Sequence, residues 1–430
     1  MATEPATLEY VSTLIDSAGL ARGRRALAAA TLASAVGNGM YLAVMAVYFT
    51  RAAGFSAAGV GAGLTAAGLV GLAAGLPAGR WADRGGPRAV YLGLSLVSAA
   101  TMASYAGLRS YRLFLAVAVV DSLAASGTRA ARGALIARLA GGDPHVYRAR
   151  LRSVANIGVA AGGLIGGIGL AVDTRAGYAT ILLLNALTFL GNAVLSLRIP
   201  RLAPVPSPPG LPSWPVMRDR RFLAFSGLAA VLAIHDEVLL FAVPLWMSQA
   251  TDAPRWTIAV LVVVNTLLVA SLQLRIGQGV NTIARGARAS GRAGWILAAA
   301  SVLFGVIGLV PGWAVVAVLL VAAATHSIGE IVQQAGYSEL SFGLAPEHAQ
   351  GQYQGLSATF SGAGIALAPG LLGWLCVAGG AAGWLALGGV FAAAGALTPF
   401  AVARGKPAPG SQSGPAPAPN PRCGWPAEEP

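Results

Sequence analysis

The chain has 430 residues, is 56% hydrophobic and only 10% charged, carries a net charge of +13 and has a mean hydropathy of +0.67. That much apolar surface, with so few charges, is far more than an ordinary soluble domain could bury. The bilayer is the natural solvent. A membrane span needs about 20 apolar residues to cross roughly 30 Å of hydrocarbon, which leaves room for about twelve spans. Fifty-seven glycines fit this class, because small residues bring membrane helices close together.

Taken in order, the chain opens with Glu4, Glu9 and Asp16, so no cleavable signal peptide is evident and the first span is expected to act as the insertion signal. Residues 1–25 read as a leading polar segment. Apolar stretches follow at 26–49, 57–79, 88–108, 112–137, 152–172 and 176–197. A Pro-rich stretch, 198–221, reads as a linker. Six more spans fall at 222–248, 256–274, 292–311, 313–336, 353–377 and 380–403, and a Pro-rich tail at 404–430 reads as disordered. The expected fold is an all-α membrane protein of twelve transmembrane helices in two six-helix bundles, 26–197 and 222–403.

Placing the amino terminus inside puts 22 Arg and Lys residues in inner loops and termini against five in outer loops; the other two, Arg129 and Arg132, lie in the fourth span. Positive charge is retained on the cytoplasmic face, so both termini are expected in the cytoplasm and the protein in the plasma membrane. This explains the +13 without nucleic acid. Cys376 and Cys423 lie in an apolar run and in the tail, so they read as one packed thiol and one free thiol, not as a disulfide.

The loop between spans two and three reads Gly79-Arg80-Trp81-Ala82-Asp83-Arg84-Gly85-Gly86-Pro87-Arg88. Its Gly79, Asp83, Arg84, Gly86 and Arg88 resemble the pattern G-x-x-x-D-(R/K)-x-G-x-(R/K) of the major facilitator superfamily, with Ala89 where a further basic residue is frequent. The resemblance implies a latch that ties the two halves together on the cytoplasmic side and favours the outward-facing state. Arg129-Ala-Ala-Arg132-Gly133 is similar to that family's R-x-x-Q-G core, with Arg132 in place of glutamine. Gly158, Gly162, Gly163, Gly166 and Gly167 resemble the glycines of its antiporter motif, with Gly163 replacing a proline; they read as hinge points or as plain helix packing.

A charge near the bilayer centre costs at least about 2.5 to 3.5 kcal/mol, so each one is a functional candidate. Asp121 and Arg129 in the fourth span, His235, Asp236 and Glu237 in the seventh, and His326 and Glu330 in the tenth are the proton-coupling or substrate candidates. Arg129 is positioned to modulate Asp121 or pair with Glu330 across a cavity. At 100° per residue His235 and Glu237 point about 200° apart, while His326 and Glu330 share a face. Asn38 and Tyr41 are cavity candidates; Phe241, Trp246, Tyr337 and Phe360 suit an apolar pocket or the membrane interface.

No G-x-x-x-x-G-K-[ST] loop is available to use ATP, and nothing resembles a catalytic or metal cluster. The chain therefore reads as a monomeric, non-enzymatic secondary transporter without metal or cofactor. Its partners are lipid, protons and a small-molecule substrate. By resemblance to the drug-efflux branch the activity is proton-coupled efflux of a hydrophobic or cationic molecule, with proton-coupled import of a nutrient or metabolite as the alternative.

Overall fold

The computed structural model describes residues 4–140, 144–205, 209, 212–251, 253, 254 and 256–404. Twelve helical rods dominate: α1 Glu4–Val47, α2 Gly59–Gly85, α3 Pro87–Tyr105, α4 Tyr111–Leu139, α5 Pro144–Val172 and α6 Arg175–Ser196. The second six are α7 Arg220–Ala250, α8 Trp256–Gly279, α9 Ile283–Leu309, α10 Gly312–Gly343, α11 Glu347–Ala378 and α12 Gly380–Arg404. Eleven rods contain stretches long and apolar enough to cross a membrane. The remaining one, α3, is 19 residues long and packs between α4 and α6. No strand occurs among the described residues.

Each set of six packs mainly on itself. In the first, α1 lies on α5 and α6, and α4 on α2 and α3; in the second, α9 lies on α10 and α12, and α8 on α10. The α1–α5 contact shows why glycine is abundant. A Cβ on Gly162 would overlap the Val36 carbonyl, one on Gly166 would press Ala43, and Gly39 meets α5 as closely from the other side. Such backbone contact is how helices associate without a hydrophobic driving force. Gly163 and Gly167 have nothing within 4 Å, and α5 runs unbroken. Of these glycines, Gly158, Gly162 and Gly166 form a packing stripe against α1.

The rods exceed the spans expected from hydropathy, because a helix continues until a cap or turn stops it, whatever its polarity. Pro144 stands at the start of α5, a position that suits proline's fixed φ. Arg148 and Arg152, expected at an inner loop, are consequently helical. Likewise α10 runs on to Gly343 and takes in Glu339, and α1 starts at Glu4, inside the stretch expected to lead into the first span.

The linker is docked where it is described. Arg138 donates to the Ala203 carbonyl at 2.8 Å, and the Arg80 guanidinium lies 4.3 Å from the Trp214 ring centroid. Asp219 caps α7 by accepting from the Phe222 N–H, and its other oxygen accepts from the Tyr353 hydroxyl at 2.9 Å. Residues 405–430, with Cys423, lie outside the described residues; Cys376 is buried and unbridged.

Candidate functional site

The two bundles meet at the end that bears the Gly79–Arg88 loop. Substantial packing between them is confined to α2 and α4 against α11, and α5 against α8. On α2, Gly75 and Gly79 are four apart; on α11, Gly351 and Gly355 are four apart. The two pairs face each other so closely that a Cβ on Gly79 would overlap the Gly351 carbonyl, and one on Gly355 the Gly75 carbonyl. Small residues at four-residue spacing on both helices let the backbones touch.

That contact brings Asp83 to the start of α11. Its two carboxylate oxygens accept the backbone N–H groups of Gly351 at 2.6 Å and Gln352 at 2.9 Å. The first N–H groups of a helix have no intrahelical partner, and a carboxylate there also meets the positive end of the helix dipole. Gly86 has φ +88°, a left-handed conformation that suits glycine, and turns the chain from α2 into α3. Further along, the Thr359 hydroxyl donates to the Leu72 carbonyl at 3.0 Å. Arg84 is exposed and Arg88 half-buried.

Past this seam lies a cavity of about 710 Å³ lined by both bundles. Arg129 and Arg132, one turn apart on α4, and Arg148 and Arg152, one turn apart on α5, line one side. Glu339, Tyr337, Gln334 and Gln354 line the other. Arg148 donates to Glu339 at 3.0 Å, with only 12% and 8% of the two side chains exposed, and its guanidinium lies 4.8 Å from the Phe342 ring centroid. This is an ion pair between the bundles, close to the helix ends. Deeper in, Asn156 and Gln273 face each other at 3.5 Å.

The expected carboxylates and histidines scatter around this cavity instead of meeting in it. Asp121 accepts from the Thr101 hydroxyl at 2.9 Å, which turns it toward α3. Arg129 and Glu330 form no ion pair, contrary to the pairing expected across the cavity. Glu330 instead accepts from Asn265 at 2.8 Å on neighbouring α8. His326, although four residues from Glu330, is buried against His235, ring centroids 5.7 Å apart.

Helix α7 changes winding at the charged triplet. Ile234–Glu237 is 3₁₀ and Val238–Ala242 is π-helical. The tighter 3₁₀ turn advances about 120° per residue, so His235 and Glu237 diverge differently from the α-helical expectation. His235 is buried, with Nδ1 3.5 Å from Asp236; the Asp236 side chain is 44% exposed and Glu237 half-buried. Asn38 is exposed two turns beyond Thr31, a cavity residue on the same helix face. Tyr41 stacks on Tyr105 with centroids 6.0 Å apart. Trp246 donates to the Phe304 carbonyl, which makes it a packing residue of the second bundle.

Sequence reasoning missed Arg132, Arg148, Arg152 and Glu339 as site residues. Their signal was present: two Arg pairs at helical spacing, i, i+3 and i, i+4, followed by apolar helix. No group of three or more His, Cys, Asp or Glu among the described residues could hold a metal ion.

Two helical bundles joined at one end around a cavity that both of them line define a polytopic membrane protein built to pass a solute between its halves. The pattern of the Major Facilitator Superfamily matches residues 27–369, and the chain belongs to that family of membrane transporters. No curated protein sequence matches it. Among solved structures it resembles a bacterial homologue of the iron transporter ferroportin in an outward-facing state (TM-score 0.70, 16% identity, 88% of this chain and 98% of that one). It also resembles the human organic anion transporter MFSD10 (TM-score 0.65, 16% identity, 88% and 99%) and the nucleoside transporter NupG (TM-score 0.55, 16%, 88% and 98%). At this identity the likeness is one of fold.

Proposed function

We propose that the protein is a proton-coupled secondary transporter of the plasma membrane that exports a small organic molecule by alternating access, with the Gly79–Arg88 end in the cytoplasm. The observation that carries this reading is the asymmetry of contact. Asp83, the facing glycine pairs and the Arg148–Glu339 ion pair close one end of a cavity shared by both bundles. The Arg and Lys distribution along the sequence supports placing that end inside. A rocking motion that separates Asp83 from Gly351 then opens the cavity to the cytoplasm, and reclosure exposes it to the other side.

Coupling needs a carboxylate whose protonation favours one state. Asp236 and Glu330 are the proposed carriers: Asp236 is 44% exposed on α7, and Glu330 precedes the cavity-lining Ile331 and accepts from Asn265. The hydrophobic part of the expected cargo agrees with the apolar walls at Ile331 and Ile365. A cationic cargo agrees less well with a lining of four arginines and one glutamate.

The experiment is uptake by proteoliposomes under an imposed proton gradient, screened over a panel of labelled solutes. Gradient-driven accumulation that Asp236→Asn or Glu330→Gln uncouples supports the proposal. Normal coupling in both variants sinks the assignment of these carboxylates; accumulation in the opposite sense makes the protein an importer.

A further inference from the structure

Resting on the transport reading above, we infer that the cargo is a small organic anion and that Arg129, Arg132 and Arg152 receive its carboxylate, phosphate or sulfonate group. All three line the cavity. Arg129 and Arg132 stand one turn apart on α4, and Arg152 lines the same cavity from α5. Gathering three guanidinium groups inside a membrane protein is costly, and a bound anion offsets that cost with charge-assisted hydrogen bonds.

An inventory of countercharges narrows the site. Arg148 is engaged by Glu339. Among the described residues neither Asp236 nor Glu330 forms an ion pair with Arg152: Glu330 is bonded to Asn265 and Asp236 lies beside His235. Among the described residues Arg152 Nε is buried with no hydrogen-bond partner. Neither Arg129 nor Arg132 has a carboxylate within ion-pair distance among the described residues. The cavity lining thus holds four arginines against Glu339 alone.

Planar guanidinium groups match the paired oxygens of carboxylate, sulfonate and phosphate. Beside them Leu72, Ile136, Ile331 and Ile365 offer an apolar wall, which suits the hydrocarbon part of an organic anion better than a bare inorganic ion. A volume of about 710 Å³ falls within the range of pockets that enclose drug-sized ligands.

The test uses the purified full-length protein in detergent at constant ionic strength. Thermal stabilisation is titrated with benzoate, phenylphosphate and benzenesulfonate, and with benzyltrimethylammonium as the cation of similar size. Saturable stabilisation by at least one of the anions and none by the cation is expected. Arg129→Gln and Arg132→Gln each weaken the apparent affinity about tenfold to a hundredfold. Arg132→Lys, which keeps the charge and loses the fork, gives a smaller loss and guards against a variant that fails to fold.

Stabilisation by the cation, by no anion, or by an anion whose affinity is the same in all three variants overturns the inference. Repeating the titration in phosphatidylcholine nanodiscs with and without phosphatidylglycerol separates cargo from lipid headgroup. Anion binding that persists in phosphatidylcholine alone supports cargo; occupation of the site by phosphatidylglycerol that blocks all three probes overturns it. Anion binding without any gradient-driven uptake sinks the transport reading and leaves the site, whereas uptake of other solutes without anion binding sinks only this inference.

Discussion

Asp83→Asn removes one charge and little volume, so its effect isolates the latch. In the closed state the carboxylate accepts two N–H groups of α11, from Gly351 and Gln352. Asparagine keeps one acceptor oxygen and turns an NH₂ group toward the other N–H. The lost charge-assisted hydrogen bond is worth about 1.5 to 3 kcal/mol, and the lost interaction with the helix dipole about 0.3 to 1 kcal/mol. Together, about 2 to 4 kcal/mol shifts a two-state ratio by about 30- to 1000-fold. A closed-to-open ratio of about 100 to 1 then falls to about 3 to 1 or below. Spin labels at the exposed Arg22 and Arg285 positions, one in each bundle, in a background with Cys376 and Cys423 replaced, report the separation of the two bundles at this end. A new, longer distance population in Asp83→Asn is expected. An unchanged distribution refutes the assignment of Asp83 as the latch.

Three further outcomes follow from the same contacts. Arg148→Met removes the buried ion pair that Glu339 makes with α5 and is expected to destabilise the closed state by about 1.5 to 3 kcal/mol. The double variant Arg148→Met/Glu339→Met recovers most of that loss, so additive midpoints in a thermal double-mutant cycle contradict the pair. Gly162→Leu drives a side chain into the Val36 carbonyl while Gly163→Leu meets open space; only the first should reduce the yield of folded protein, and equal losses rule out the packing stripe. Asp219→Ala strips the cap from α7 and the acceptor from Tyr353, and is expected to lower stability by about 1 to 2 kcal/mol, read as a lower unfolding midpoint.

The fold was legible because each span is long, apolar and bounded by charge, a signal that survives any choice of neighbour. The Gly79–Arg88 loop was legible for a different reason: a fixed spacing of glycine, acid and base is rare by chance. Its partner was not, since nothing in the local sequence says that Asp83 reaches Gly351, 268 positions away. The cavity arginines were hidden by a boundary error. Hydropathy placed the fifth span from residue 152, whereas the helix starts at Pro144, so Arg148 and Arg152 passed for inner-loop charges. Glu339 was lost in the same way beyond the expected end of the tenth span. At His235–Glu237 the residues were found but their directions were not, because the 3₁₀ and π turns follow from tertiary packing that the α-helical period cannot anticipate.

Alternating access is tested most directly at Ala358 of α11, which lines the cavity beyond the latch. With Ala358→Cys as the only cysteine in oriented proteoliposomes, a membrane-impermeant thiol reagent is applied from one side at a time. Labelling from the side opposite the Gly79–Arg88 loop in the otherwise intact protein, with access gained from the loop side once Asp83→Asn is added, is the predicted result. Equal labelling from both sides without Asp83→Asn describes an open channel and contradicts the account.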